Sequence, residues 1–147
     1  IAIILNVTDM RAAFLIRCST KKQDYERQVN DLTRLAKKFG YSQVINDIGE
    51  HITGKDDASK RDRQSIQRLK DAAINKEFDV VLVSEVSRMS RDPMSGRLYV
   101  RQLINMDIPV YFRDIDTWTI DVTGKKVRDA ETIIGAAFDA AWKYIKR

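Results

Sequence analysis

Apolar and polar positions along this chain switch between two spacings, and the switch points predict its elements. Residues 12–16 (Ala-Ala-Phe-Leu-Ile) form a continuous apolar run, the pattern of a strand covered on both faces. From Asp24 to Phe39 the apolar positions Tyr25, Val29, Leu32, Ala36 and Phe39 recur in steps of three and four, one face of a helix, and Gly40 is its stop. Gln43 to Asp47 reads as a second short strand. His51 to Asp62 is polar, contains Gly54 and lacks periodicity, which predicts a mobile loop. A helix follows over roughly Arg63 to Asn75, with Ile66, Leu69 and Ala73 inward. Val80 to Val83 is the strongest strand, apolar throughout and mostly β-branched. Asp92-Pro93 supplies an N-cap type followed by proline at the first helical position, so a helix should run from there to about Asn105. Ile108 to Phe112 reads as a fourth strand. Arg113 to Gly124 is polar and turn-like, with a short β segment around Trp118 to Ile120.

The last helix, about Val127 to Ile145, is apolar over a wide arc. Val127, Ala130, Ile134, Ala137, Ala141 and Ile145 mark one face, and Ile133, Ala136, Ala140 and Tyr144 extend it. Two readings carry equal weight, a central core helix and a face for self-association. The alternating order of strands and helices predicts an α/β domain with a mainly parallel central sheet flanked by helices. With no internal repeat and no low-complexity linker, the chain reads as one domain.

Composition narrows the classes. The chain has 147 residues, enough for one real core, and 32% of them are charged. A net charge of +5 permits a polyanionic partner without demanding one. The single cysteine, Cys18, excludes an internal disulfide, and with the lone His51 it offers no metal-ligand cluster. A reducing, cytoplasmic setting fits. The apolar opening Ile1 to Leu5 is too short to span a bilayer, and no membrane association is expected. Met10 stands directly before the first convincing strand, so residues 1–10 read as an N-terminal extension or appended residues, ahead of a domain covering 11–147.

Candidate chemistry gathers where strands end. Arg17-Cys18-Ser19-Thr20 closes the first strand, at the edge where open α/β sheets place their ligands. A serine there is more often a cap than a nucleophile. No Gly-x-Ser-x-Gly elbow surrounds it, which weighs against a Ser-His-Asp hydrolase. Cys18 reads as a small hydrophobe. Arg88 and Arg91 follow the Val80–Val83 strand, so a parallel sheet brings them to the edge that carries Arg17 and Ser19. Arg63 could reach the same mouth. Each arginine alone reads as a solvated charge, but guanidinium groups gathered around a hydroxyl suit a phosphodiester, whose non-bridging oxygens they bind bidentately.

At these residues the sequence resembles the catalytic domain of serine recombinases, the family of resolvases, invertases and large serine integrases. Arg17, Ser19, Thr20, Gln23 and Gln28 match its opening pattern in register. Thr53-Gly54 and the run Arg63-Gln64-Ser65-Ile66-Gln67-Arg68-Leu69 match its second landmark, and Ser87-Arg88-Met89-Ser90-Arg91-Asp92 matches its third. The likeness runs from Arg11 to about Arg147. Two departures stand out. Ser87 replaces an aspartate that many relatives carry, with Glu85 two residues earlier as a substitute, and Asp139-Ala140-Ala141-Trp142-Lys143 replaces a Glu-rich stretch in the last helix.

The resemblance implies a resolvase-like three-layer domain with a long C-terminal helix. It implies site-specific DNA strand exchange, with Ser19 attacking the scissile phosphate to give a 5′-phosphoserine bond before religation, and it implies no metal or cofactor. Arg17, Arg63, Arg88 and Arg91 would bind that phosphate, and Gln23 and Gln28 would orient the pocket. Lys143, Lys146 and Arg147 would meet double-stranded DNA, and a homodimer would pair into a tetramer on it. Site recognition would come from a separate DNA-binding domain absent from this chain. A non-catalytic oligomerisation or regulatory module on the same scaffold is the alternative. A small-molecule-binding α/β domain has only the element order behind it, because Gly49, Gly54 and Gly96 are isolated and form no phosphate loop.

Overall fold

The structure, a computed structural model, describes residues 10–17, 22–45 and 58–145. In chain order the elements are β1 (Arg11–Phe14), α1 (Lys22–Phe39), β2 (Ser42–Ile45), α2 (Ala58–Ile74), β3 (Val80–Val83), α3 (Pro93–Asn105), β4 (Val110–Phe112), β5 (Thr117–Trp118) and α4 (Ala130–Ile145). Short 3-10 turns lie at Val86–Arg88 and Arg113–Ile115. The sheet order is β2-β1-β3-β4-β5, with β1 to β4 parallel and β5 antiparallel to β4. This is the α/β class that the element order predicts.

The apolar runs are continuous because both sheet faces are covered. Ala12, Phe14, Ile16, Val80, Leu82 and Tyr111 pack with Leu32 and Ala36 of α1 on one face. Ala13, Leu15, Val81, Val83, Val110 and Phe112 point the other way, into a larger core built with α2, α3 and α4. Three layers result, one helix, the sheet, then three helices. Several local signals read from the sequence hold. Gly40 takes the left-handed conformation (φ 82°), and Tyr41 and Gly40 donate their N–H groups to the carbonyls of Ala36 and Lys37, a Schellman close of α1. The Asp92 carboxylate accepts from the Met94 and Ser95 N–H groups at 3.2 and 3.3 Å and caps α3.

Three boundaries differ from expectation. The helix expected from Arg63 begins at Ala58, so residues 58–62 are helical rather than loop. His51 to Asp57, the rest of that predicted loop, lies outside the described residues. The last helix starts at Ala130 rather than Val127, because Asp129 is left-handed (φ 63°) and cannot continue a right-handed helix. The wide apolar arc of α4 divides: Ala130, Ile134 and Phe138 are buried, while Ile133 and Tyr144 are 46% and 78% exposed. β1 also ends before its apolar run does, and Leu15 and Ile16 stay buried beyond it. No helix among the described residues is long and apolar enough to cross a membrane.

Close approach of α3 to α4 fixes Gly96. A Cβ there would lie 2.6 Å from the ring of Phe138, which is fully buried. Gly96→Ala is therefore expected to lower unfolding free energy by about 1–3 kcal/mol, measured by denaturant titration. At the β4–β5 end, Tyr111 is buried among Phe39 and Trp118 and donates its hydroxyl to Asp116. Burial first, and then that hydrogen bond, raise its pKa to about 12. Because the unfolded chain ionises this group at a lower pH, its contribution to stability is complete below about pH 10 and is lost as pH rises towards the folded value. Denaturation midpoints of wild type and Tyr111→Phe should therefore diverge from about pH 10 to 12, with only wild type carrying this loss.

Candidate active site

Strand order places the site. β1 and β3 are neighbours, yet the chain leaves β1 for α1 on one face and β3 for α3 on the other. A crevice opens at the carboxyl ends of strands where connections diverge in this way. Arg17 leaves β1 there, and the 3-10 turn Val86–Arg88 follows β3 at the same edge. That turn is anchored by buried Val86 and Met89, and the Asp114 carboxylate accepts from the Val86 N–H at 3.3 Å. Burial raises the Asp114 pKa, and the hydrogen bond from Val86 opposes the rise.

Arg17 is the centre of the arrangement. Its side chain is only 8% exposed, and its Nε lies 3.7 Å from Oδ1 of Asp62. The Arg17 pKa is lowered to about 10, chiefly by burial; Asp62 opposes the fall, Arg91 and Arg88 add to it, and Glu85 opposes it. The guanidinium stays charged near neutral pH. Arg88 and Arg91 therefore lie close enough to Arg17 to act on it electrostatically.

The neighbouring backbone is pinned as well. The Arg17 carbonyl accepts from Nε2 of Gln28 at 3.0 Å and from Nη1 of Arg88 at 3.1 Å. Asp24 accepts from Gln28 Nε2 at 3.2 Å, Arg88 Nη2 at 3.4 Å and Arg27 Nη2 at 2.8 Å. Glu85 lies 3.5 Å from Arg27 and 3.9 Å from Arg88, so a carboxylate does face the arginine pair from two residues before Ser87. The Arg91 N–H donates to Oδ2 of Asp62 at 3.4 Å.

Even so, the cationic donors are not used up. Arg17 Nε and Nη1 and Arg88 Nε are buried without a hydrogen-bond partner among the described residues. Buried donors of this kind call for an acceptor, and their charge selects an anion.

Other predicted site residues fall differently. Arg63 is exposed on α2, and its charge acts on Tyr99 of α3; it is not among the groups that shift Arg17. Gln23 is exposed, whereas Gln28 is fully buried. Lys143 is exposed near the end of α4. Ser19, with Cys18 and Thr20, lies outside the described residues, as do Thr53, Gly54, Lys146 and Arg147. Sequence reasoning missed Asp62 and the part played by Asp24. Both leave a trace: Asp62 stands four residues before Ile66 on the inward stripe of α2, and Asp24 stands four before Gln28.

Gln28 supports the Arg17 carbonyl from a fully buried position. Gln28→Ala is expected to lower stability by about 1–3 kcal/mol by stripping buried polar atoms of a partner, and denaturant titration measures it.

Comparison with known proteins fits this geometry. The family model for the resolvase N-terminal domain matches residues 12–139. Among solved structures, the N-terminal catalytic domain of TP901-1 integrase is similar in fold, with a TM-score of 0.59 at 20% identity over 92% of this chain and 96% of that one. No curated protein matches the sequence. With the family model spanning nearly the whole described domain and the arginine pocket at its sheet edge, the chain belongs to the resolvase N-terminal domain family, the catalytic-domain family of the serine recombinases.

Proposed function

We propose that this chain is the catalytic domain of a site-specific DNA recombinase that works through Ser19. The observation that carries the proposal is at the carboxyl edge: Arg88 reaches the Arg17 carbonyl, the Arg91 backbone is tied to Asp62 beside Arg17, and buried guanidinium donors of Arg17 and Arg88 lack a partner among the described residues. Ser19 follows Arg17 by two residues. In the reaction Ser19 Oγ attacks a DNA phosphorus. The Oγ–P bond forms, the P–O3′ bond breaks, and the 3′ oxygen leaves as a hydroxyl after taking up a proton. After strand exchange that hydroxyl attacks the phosphoserine and restores both the DNA and the serine. The phosphoserine conserves the phosphodiester, so resealing needs no outside energy source.

Donors fixed before the reaction favour the charge that grows on the phosphoryl oxygens, and three cations lower the cost of ionising Ser19. Glu85 and Asp24, rather than residue 87, supply the carboxylates that hold Arg88. Arg63 would join once DNA is bound, and Gln28 and Gln23 orient the pocket from behind and from its rim. The exposed stripe Ile133, Ala136, Ala140 and Tyr144 on α4 is the surface for a second copy, in a dimer that pairs into a tetramer on DNA. Lys143, Lys146 and Arg147 would contact phosphates nearby, and recognition of the DNA site would belong to a separate domain.

The test is a covalent adduct. The full-length protein is incubated with supercoiled DNA from its own locus and run on a denaturing gel. Wild type should give a protein–DNA band that Ser19→Ala abolishes and that Arg17→Ala or Arg88→Ala reduces about a hundredfold or more. Salt-sensitive DNA binding without any adduct in wild type would instead support the non-catalytic module.

A further inference from the structure

Asp62 joins two loops that the sequence keeps far apart. It sits on the first turns of α2 with its side chain 5% exposed. One carboxylate oxygen faces Nε of Arg17, after β1, and the other accepts from the Arg91 N–H, after β3. Packing does not require an acid here. The position continues the inward stripe of Ile66 and Leu69, where an apolar side chain would be buried at no electrostatic cost. The separation from Arg17 also matters. At 3.7 Å the contact is an ion pair without a hydrogen bond, so Arg17 is held by charge while its Nε and Nη1 donors stay free for another acceptor.

We propose that Asp62 is the positioning residue of the arginine pocket: its carboxylate fixes the Arg17 guanidinium and acts as resident counter-ion until a DNA phosphate takes the unused donors. This rests on the reading of the pocket as a phosphate site. Asp62 touches no reacting atom; it acts through Arg17 and the Arg91 turn. Its two effects pull in opposite directions. Removing the negative charge leaves Arg17 free to turn, which harms a reaction that needs fixed donors, yet it strengthens the field that draws a phosphate in. A residue that merely supported the fold would weaken binding and reaction together.

The experiment is a titration of the 147-residue chain with inorganic phosphate, followed by the arginine Nε–H signals in nitrogen-15 NMR. In wild type the Arg17 signal should be resolved and slow to exchange with solvent at neutral pH, and phosphate should move it together with that of Arg88. Asp62→Asn should collapse the Arg17 signal towards those of mobile arginines and tighten phosphate binding about three- to tenfold, the direction set by loss of a nearby like charge. Asp62→Glu, which keeps the charge, should retain the resolved signal. An Arg17 signal in Asp62→Asn that is unchanged, or weaker phosphate binding by a variant whose backbone spectrum is intact, would overturn the proposal. Rapid exchange of Arg17 Nε–H in wild type would overturn it without any variant. Phosphate that moves neither Arg17 nor Arg88 in wild type would sink the phosphate-site reading instead, and the Arg17 signal in Asp62→Asn would still judge the positioning role.

Discussion

Everything at the sheet edge depends on keeping a guanidinium charged while burying it. Arg17 is almost fully enclosed and has two more arginines for electrostatic neighbours. Left alone, that arrangement would push the chains apart or strip the proton. The domain answers by bringing a carboxylate from each side. Asp62 comes from the three-helix layer, and Asp24 from the single-helix layer. Glu85 lies between them, on the stretch that leaves β3. Neutralisation is incomplete, since three guanidinium nitrogens have no hydrogen-bond partner among the described residues. A fully paired cluster would be a structural ion network; this one retains a positive field and free hydrogen-bond capacity.

The sheet supplies the rigidity that such a cluster needs. β1 and β3 are central strands with both faces buried, so the residues that leave them start from fixed points. The two exits diverge to opposite faces, which is why helices from both layers can place acids at one crevice. Below the arginines, buried Val86 and Met89 and the Asp114 hydrogen bond stop the 3-10 turn from swinging. The Asp92 cap then starts α3 within one residue of Arg91. Scaffold and site are thus continuous, and the arginine that most needs support is the one closest to the sheet.

Much of this was legible where a residue type has one dominant local use. Val80–Val83 as a strand, Gly40 as a helix stop and Asp92-Pro93 as a helix start follow from backbone chemistry that acts within a few residues. That the segments carrying Arg17 and Arg88 leave the sheet at one edge follows from a parallel sheet alone, because parallel strands deliver their carboxyl ends to one edge. Asp62 was not legible for the opposite reason. An acid at the head of an apolar stripe breaks the periodic pattern, so the helix was read as starting after it, and only the distant Arg17 explains why it is buried. The late start of α4 was hidden too: Val127 is apolar and in helical phase, but the left-handed Asp129 interrupts the helix, and the apolar spacing does not record it.

The same helix explains why Arg63 stands apart from the pocket. Successive residues on an α-helix project about 100° apart, so two neighbours cannot face one crevice together. Asp62 faces Arg17, which turns Arg63 towards Tyr99 and solvent. Placing Arg63 on the same anion as Arg17 requires α2 to roll or shift, and any such motion draws Asp62 away from Arg17. In this structure the acid faces in, against Arg17, and the base faces out.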